Sequence, residues 1–175
     1  MTTGGLTKQL FSQAEIAQRV KQLAMEIDRD YPQDQPLVAI GILKGSFIFM
    51  ADLVREMERE IALDFIALSS YGDATETTGV VRLLKDLDVD IKDKDVIIIE
   101  DIIDTGLTLE YLKHYLQQRH PRSIRIATLL DKINRRQVDI AIDYIGFEIE
   151  DHFVVGYGID HAQKYRNLPW IGIVE

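Results

Sequence analysis

Two stretches of this chain, LVAIGIL at 37–43 and DVIIIED at 95–101, are almost wholly apolar along their length. A strand with one face in water alternates apolar and polar residues. These two do not, so both of their faces must be covered. Around them the pattern changes to helical spacing. Over residues 12–30, Ile16, Val20, Leu23, Ala24 and Ile27 form one stripe, and Ser12 and Glu15 stand at capping-box distance. Further helices are expected near 46–58 and over 107–119. Further strands are expected over 61–70, 123–130, 138–146 and 153–158, with a short return strand in VVRLLKDL and a closing one in WIGIV. Doubly buried strands alternating with helices call for an α/β fold, a largely parallel sheet flanked by helices on both sides.

A chain of 175 residues suits one domain spanning 1–175, and there is no repeat or linker to divide it. The formal charge of −9 argues against non-specific nucleic-acid binding, which depends on neutralising phosphates. No apolar run approaches the roughly 20 residues needed to cross a bilayer. The first residues show no basic segment followed by an apolar one, so neither a signal peptide nor a membrane partner is expected, and a cytoplasmic location is. Cysteine is absent, which removes disulfides, thiolate nucleophiles and Cys-ligated zinc. The acidic stretch KDLDVDIKDKD, 85–95, reads as a solvated loop. The polar YGDATETTG, 71–79, reads as a mobile one.

The second apolar run ends in Glu100, Asp101 and Asp104 and passes at once into Thr-Gly-Leu-Thr and a helix start. In open α/β sheets, ligands bind outside the carboxyl ends of the strands. Thr105 and Thr108 offer hydroxyls, Gly106 allows close backbone approach, and the first helical turn leaves N–H groups free. That set suits a phosphomonoester. Strand alternation sends Glu100 and Asp101 to opposite sides, which would give them different tasks. The plain reading is that Asp104 caps the helix and the other two are surface charge. There is no Gly-Lys-Ser/Thr and no Gly-x-Gly-x-x-Gly, so this is neither a Walker A loop nor a Rossmann fingerprint.

Two acidic residues closing an apolar strand, followed by Ile-Ile-Asp-Thr-Gly-x-Thr, resemble the phosphoribosyl-pyrophosphate (PRPP) motif of the type I phosphoribosyltransferases. Leu43-Lys44-Gly45, Leu129-Leu130-Asp131-Lys132 and Phe153 to Asp160 are similar to the 6-oxopurine branch of that family, in its short bacterial form. The likeness runs over about residues 8–175.

The resemblance implies a type I phosphoribosyltransferase-like fold: a core over about 35–150, a small hood at the C-terminal edge of the sheet built from both terminal segments, and a mobile lid at about 70–81 with Ser70 and Tyr71. It implies Mg²⁺-dependent purine salvage, in which PRPP and hypoxanthine or guanine give IMP or GMP and pyrophosphate. Asp104 would handle a proton at purine N7. Lys44, Gly45, Glu100, Asp101, Thr105, Gly106, Leu107, Thr108 and Arg166 would hold PRPP, with an unusual cis peptide in the Leu43–Gly45 tripeptide. Lys132, Phe153, Val154, Ile159 and Asp160 would hold the purine. Glu100, Asp101 and Asp160 would meet Mg²⁺, and a homodimer or homotetramer would form. An ammonium is donor-only, so Lys132 would satisfy a 6-oxo group and not the 6-amino group of adenine.

Each of these positions also has a plainer reading: Lys132 as a solvated strand end, Phe153 and Val154 as core, Arg166 as surface. Leu107 stands where some relatives carry Lys. His161 stands where Tyr is frequent and is read as structural. A regulator that senses PRPP would need an output surface, and no helix-turn-helix or basic stripe is present. An aspartyl-phosphate enzyme would favour Asp-x-Asp-x-Thr, a spacing that EDIIDTG lacks. Selection among hypoxanthine, guanine and xanthine stays open, since it would depend on pocket shape and on backbone carbonyls near Ile159.

Overall fold

The computed structural model describes residues 6–70 and 81–174, without the side chains of 6, 7 and 70. Tyr71 and the Ser70 side chain, expected in the lid, lie outside the described residues.

Strands β2 (Leu37–Leu43), β3 (Ala62–Ser70), β4 (Val81–Lys85), β5 (Asp95–Ile103), β6 (Ser123–Asp131) and β7 (Tyr144–Glu148) form one sheet in the order β4-β3-β2-β5-β6-β7. Every pairing is parallel except β3 with β4. The two apolar runs sit side by side at its centre, Ile40 opposite Ile98. Their alternate residues face different cores. Leu37, Ala39, Ile97 and Ile99 join the buried faces of α1 (Gln13–Asp30) and α2 (Phe47–Glu56). Val38, Ile40, Val96 and Ile98 join Leu109, Leu112 and Leu116 of α3 (Leu107–Gln117). A period of two in apolar side chains thus becomes two helical layers.

Helix α1 begins as its sequence predicts. Ser12 Oγ accepts from the Glu15 N–H at 3.3 Å, and Glu15 accepts from the Ser12 N–H at 2.8 Å. The five residues of the expected stripe are its buried ones.

Three expectations need correction. The strand expected over 138–146 exists only from Tyr144. Before it, Val138 and Ile140 pack beneath Gly106, where a Cβ would lie 2.9 Å from Val138 Cγ2. Those apolar residues fill a gap under a loop and pair with no strand. The strand expected over 153–158 is only β8 (Val154–Val155). Gly156, Tyr157 and Gly158 follow with φ of +106°, +50° and +101°, and three left-handed residues in succession cannot extend a strand. The acidic stretch is more than a solvated loop, because Ile91 is fully buried within it and Asp64 takes the N–H groups of Asp88 and Val89 at 2.7 and 2.9 Å.

A second sheet, antiparallel and ordered β1-β9-β8, joins the chain ends through β1 (Leu6–Phe11) and β9 (Ile171–Val174). The turn that follows β8 rests on α2 and on the loop after β2: Tyr157 donates to Asp52 at 2.5 Å, and Gly158 lies against the Gly45 carbonyl.

Candidate active site

The carboxyl ends of β2 and β5 open into a cavity of about 280 Å³. Gly45, Glu100, Asp101, Asp104, Thr105, Gly106 and Thr108 line it. Gly106 is the residue from which α3 starts, and its φ of +82° is one that a side chain would strain. The capping reading of Asp104 therefore does not hold. Thr105 Oγ1 accepts weakly from the Leu107 N–H at 3.5 Å, and the first-turn N–H groups of Leu107, Thr108 and Leu109 have no intrahelical acceptor. Leu107 adds no charge to this cradle.

Glu100 and Asp101 do not part as strand alternation predicts. Both line the same cavity, and the Asp101 N–H donates to Glu100 Oε1 at 3.1 Å. Burial, and then the adjacent Asp101 carboxylate, push the Glu100 carboxyl well above its usual range. Neither residue has an ion-pair partner among the described residues. Two hard oxygen donors held together and paired with no Lys or Arg among the described residues suit Mg²⁺, which takes one or two carboxylates and completes its shell from water and substrate phosphates. Among the described residues, no group of three or more His, Asp or Glu could cage a metal alone.

Gly45 lies between this pair and the second sheet. A Cβ on it would stand 1.8 Å from Asp101 Oδ2, and a Cβ on Gly158 would stand 2.1 Å from the Gly45 carbonyl oxygen. The Leu43–Lys44 peptide is cis, and the Lys44 side chain is exposed.

Lys132 follows β6, beside the cavity. Its N–H donates to the Ile103 carbonyl at 3.0 Å, which joins it to the strand end that carries Asp104. It is buried at 8% exposure, so the solvated-strand-end reading fails. Its ammonium meets Asp151 Oδ1 at 3.2 Å. Asp104 itself is paired with Arg135, Nε to Oδ1 at 3.0 Å. Sequence reading missed Arg135 and Asp151. The signal was there in two arginines, 135 and 136, placed just after a strand end that carries Asp131 and Lys132. Arg136 takes the structural role, forking onto the fully buried Asp131 at 2.6 and 3.1 Å.

Phe153 is half exposed and meets the His161 ring edge-on at 5.1 Å, whereas Val154 is buried in β8. The plain core reading therefore fails for Phe153 and stands for Val154. The Ile159 carbonyl accepts from the Gly156 N–H at 2.9 Å. Asp160 and Arg166 are brought together at 2.7 Å, and Arg166 also donates to the Gly158 carbonyl at 2.7 Å. Neither lines the cavity.

A family model for the phosphoribosyl transferase domain matches residues 7–162. The hypoxanthine-guanine phosphoribosyltransferase of Bacillus subtilis is 48% identical, over 97% of this chain and 94% of its own. The hypoxanthine phosphoribosyltransferase of Escherichia coli K12 is 50% identical, over 94% and 93%. Among solved structures, a hypoxanthine-guanine phosphoribosyltransferase of Bacillus anthracis superposes with a TM-score of 0.93 at 50% identity, covering 97% of this chain and 99% of that one. A hypoxanthine phosphoribosyltransferase from Staphylococcus aureus reaches a TM-score of 0.94 at 46% identity, over 98% and 93%. With its acidic strand end, its glycine-started cradle and this agreement over nearly its whole length, the chain belongs to the phosphoribosyltransferase family, in the hypoxanthine-guanine branch.

Proposed function

We propose that the protein transfers the 5-phosphoribosyl group of PRPP to N9 of hypoxanthine, and of guanine, releasing pyrophosphate and forming IMP or GMP in purine salvage. The observation that carries this reading is the meeting of two unlike half-sites at neighbouring strand ends. A neutral cradle of N–H groups and hydroxyls at Thr105–Thr108 lines the cavity, and the buried Lys132 is tied by its N–H to Ile103 at the cavity wall.

The N9 lone pair attacks C1′ as the C1′–pyrophosphate bond breaks, and the purine loses a ring proton. Thr105, Gly106, Leu107 and Thr108 fix the 5′-phosphate and so hold C1′ in place, an orientation effect that can be large. Asp104 accepts or returns the proton at N7, worth about 10²–10⁴-fold. Lys132 donates to O6. Phe153 offers its exposed face to the base, with Val154 and Ile159 along the edge. Lys44 and Arg166 meet the leaving pyrophosphate, and for this Arg166 must loosen its hold on Asp160. Glu100 and Asp101 would hold Mg²⁺, with Asp160 at a second ion, and the metal would supply charge neutralisation on the pyrophosphate.

A cytoplasmic location and a homodimer or homotetramer belong to the same proposal. Among the described residues no helix is long and apolar enough to cross a membrane, and α2 leaves Phe47 exposed.

The test is to incubate the purified protein with PRPP, Mg²⁺ and, separately, hypoxanthine, guanine, xanthine and adenine. Nucleotide should form from hypoxanthine and guanine, not from adenine, and EDTA should stop it. Nucleotide from adenine alone, or from none of the four, would overturn the reading.

A further inference from the structure

Four side chains beside the cavity form one unbranched chain of charge, and each carboxylate oxygen in it has a separate task. Lys132 Nζ lies 3.2 Å from Asp151 Oδ1, Arg135 Nη1 lies 3.5 Å from Asp151 Oδ2, and Arg135 Nε lies 3.0 Å from Asp104 Oδ1. Asp104 Oδ2 has no hydrogen-bond partner among the described residues. The two ends of the chain are the groups assigned above to the two acceptor and donor positions of a purine, O6 and N7.

The local fold makes this bridge. A single 3-10 turn, Ile133–Arg135, follows Lys132, and the Arg135 N–H closes onto the Lys132 carbonyl at 2.8 Å. The chain then returns to the cradle, where the Gln137 N–H donates to the Thr105 carbonyl at 2.9 Å. Arg135 is thereby carried over the residue before the cradle. Its guanidinium is planar and always charged, so it can span two carboxylates in a fixed geometry that a flexible ammonium cannot hold.

Stability does not explain the arrangement. Arg135 and Asp104 are each about half exposed, and ion pairs that open to water contribute little to folding. What the bridge does is orient. By occupying Oδ1 it leaves Oδ2 as the Asp104 oxygen with no partner among the described residues, and through Asp151 it links Asp104 to the ammonium of Lys132.

The geometry points to Arg135 as a positioning residue that, through Asp151, couples the proton-handling Asp104 to the purine-recognising Lys132, so that the site accepts a base only when its O6 and N7 sides are engaged together. This inference rests on the phosphoribosyl-transfer reading above.

The test uses Arg135→Gln, Asp151→Asn and the double variant in the full chain. Kinetics are measured with hypoxanthine varied at saturating PRPP, and then with PRPP varied. Arg135→Gln should lower kcat about tenfold, the scale of one lost hydrogen bond to a charged group. Asp151→Asn should raise the KM for hypoxanthine by a similar factor, and the KM for PRPP should stay unchanged in both. The double variant should lose less than the product of the two single effects, because the chain is already broken. Wild-type constants in Arg135→Gln, independent multiplication of the two effects, or an equal rise in the KM for PRPP would overturn the coupling. The proposal alone falls if the wild-type protein forms nucleotide and Lys132→Ala weakens purine binding while Arg135→Gln changes nothing. A wild-type protein that forms no nucleotide overturns the functional reading, and the coupling with it.

Discussion

The carboxylate of Asp101 lies directly on the Cα of Gly45, so close that a side chain at position 45 would begin 1.8 Å from Oδ2. On the other side, the Gly45 carbonyl leaves no room for a Cβ on Gly158, whose φ of +101° suits glycine. The end of β5, the loop after β2 and the turn after β8 are thereby stacked with no space for a single methyl group between them. The acidic pair is held in place from outside its own strand.

Gly45→Ala should therefore displace Asp101. Overpacking of this kind costs about 1–3 kcal/mol, and the displaced carboxylate should cost activity beyond what the loss of stability explains. Thermal melts and kinetics on the same preparation check this. A variant with unaltered melting and turnover would show that the close approach has no consequence.

Glu100 is half-buried beside a second carboxylate, and its ionisation is opposed by desolvation first and by Asp101 second. Removing that charge should relieve the folded protein when no metal is present. In EDTA, Glu100→Gln should melt higher by about 2–4 °C for each kcal/mol relieved, while transfer activity in Mg²⁺ falls. A lower melting point in EDTA would contradict this account of the pair.

Lys132→Ala removes a buried donor that a 6-oxopurine needs and leaves the base with an unpaired O6. The KM for hypoxanthine should rise at least about tenfold, the scale of a hydrogen bond to a charged group. The KM for PRPP should stay as it was. Equal changes in both would place Lys132 on the phosphate side.

Asp64 gives a prediction about acid stability. It is buried, and burial acts to raise its pKa. That is outweighed by the N–H groups of Val89, Phe65 and Asp88 and by Lys85, so the carboxyl ends below its ordinary 3.8. A lowered folded pKa adds stability that is fully present above the unfolded value and is lost as pH falls through the folded one. Asp64→Asn should thus destabilise the protein at pH 7 by about 1–3 kcal/mol, and urea melts should show the gap to wild type closing below 3.8. A gap that persists in acid would mean the loss comes from packing.

The central sheet was legible because burial on both faces writes itself into a local run of residues. Ile97, Ile98 and Ile99 need no partner to be recognised as buried strand, and the capping box of Ser12 and Glu15 is complete within four residues. The β1-β9-β8 sheet joins residues at opposite ends of the chain, and nothing local to Leu6–Phe11 announces its partner. Val138 and Ile140 read as strand because apolar alternation does not say whether a side chain meets a neighbouring strand or the underside of a loop. The convergence of Glu100 with Asp101 was missed because the alternation rule was applied at a strand end beside a glycine that lets a carboxylate fold in. Arg135 was missed because its role depends on a turn of three residues and on two carboxylates distant in sequence.

Phosphoribosyl transfer at this site requires that the phosphate monoester sit in the cradle at the start of α3. A crystal structure of the protein with IMP decides this directly. The 5′-phosphate should lie within hydrogen-bond distance of the N–H groups and hydroxyls of Thr105 through Thr108, with the purine between Phe153 and the Lys132 ammonium. A phosphate bound elsewhere, with that cradle facing only solvent, would contradict it.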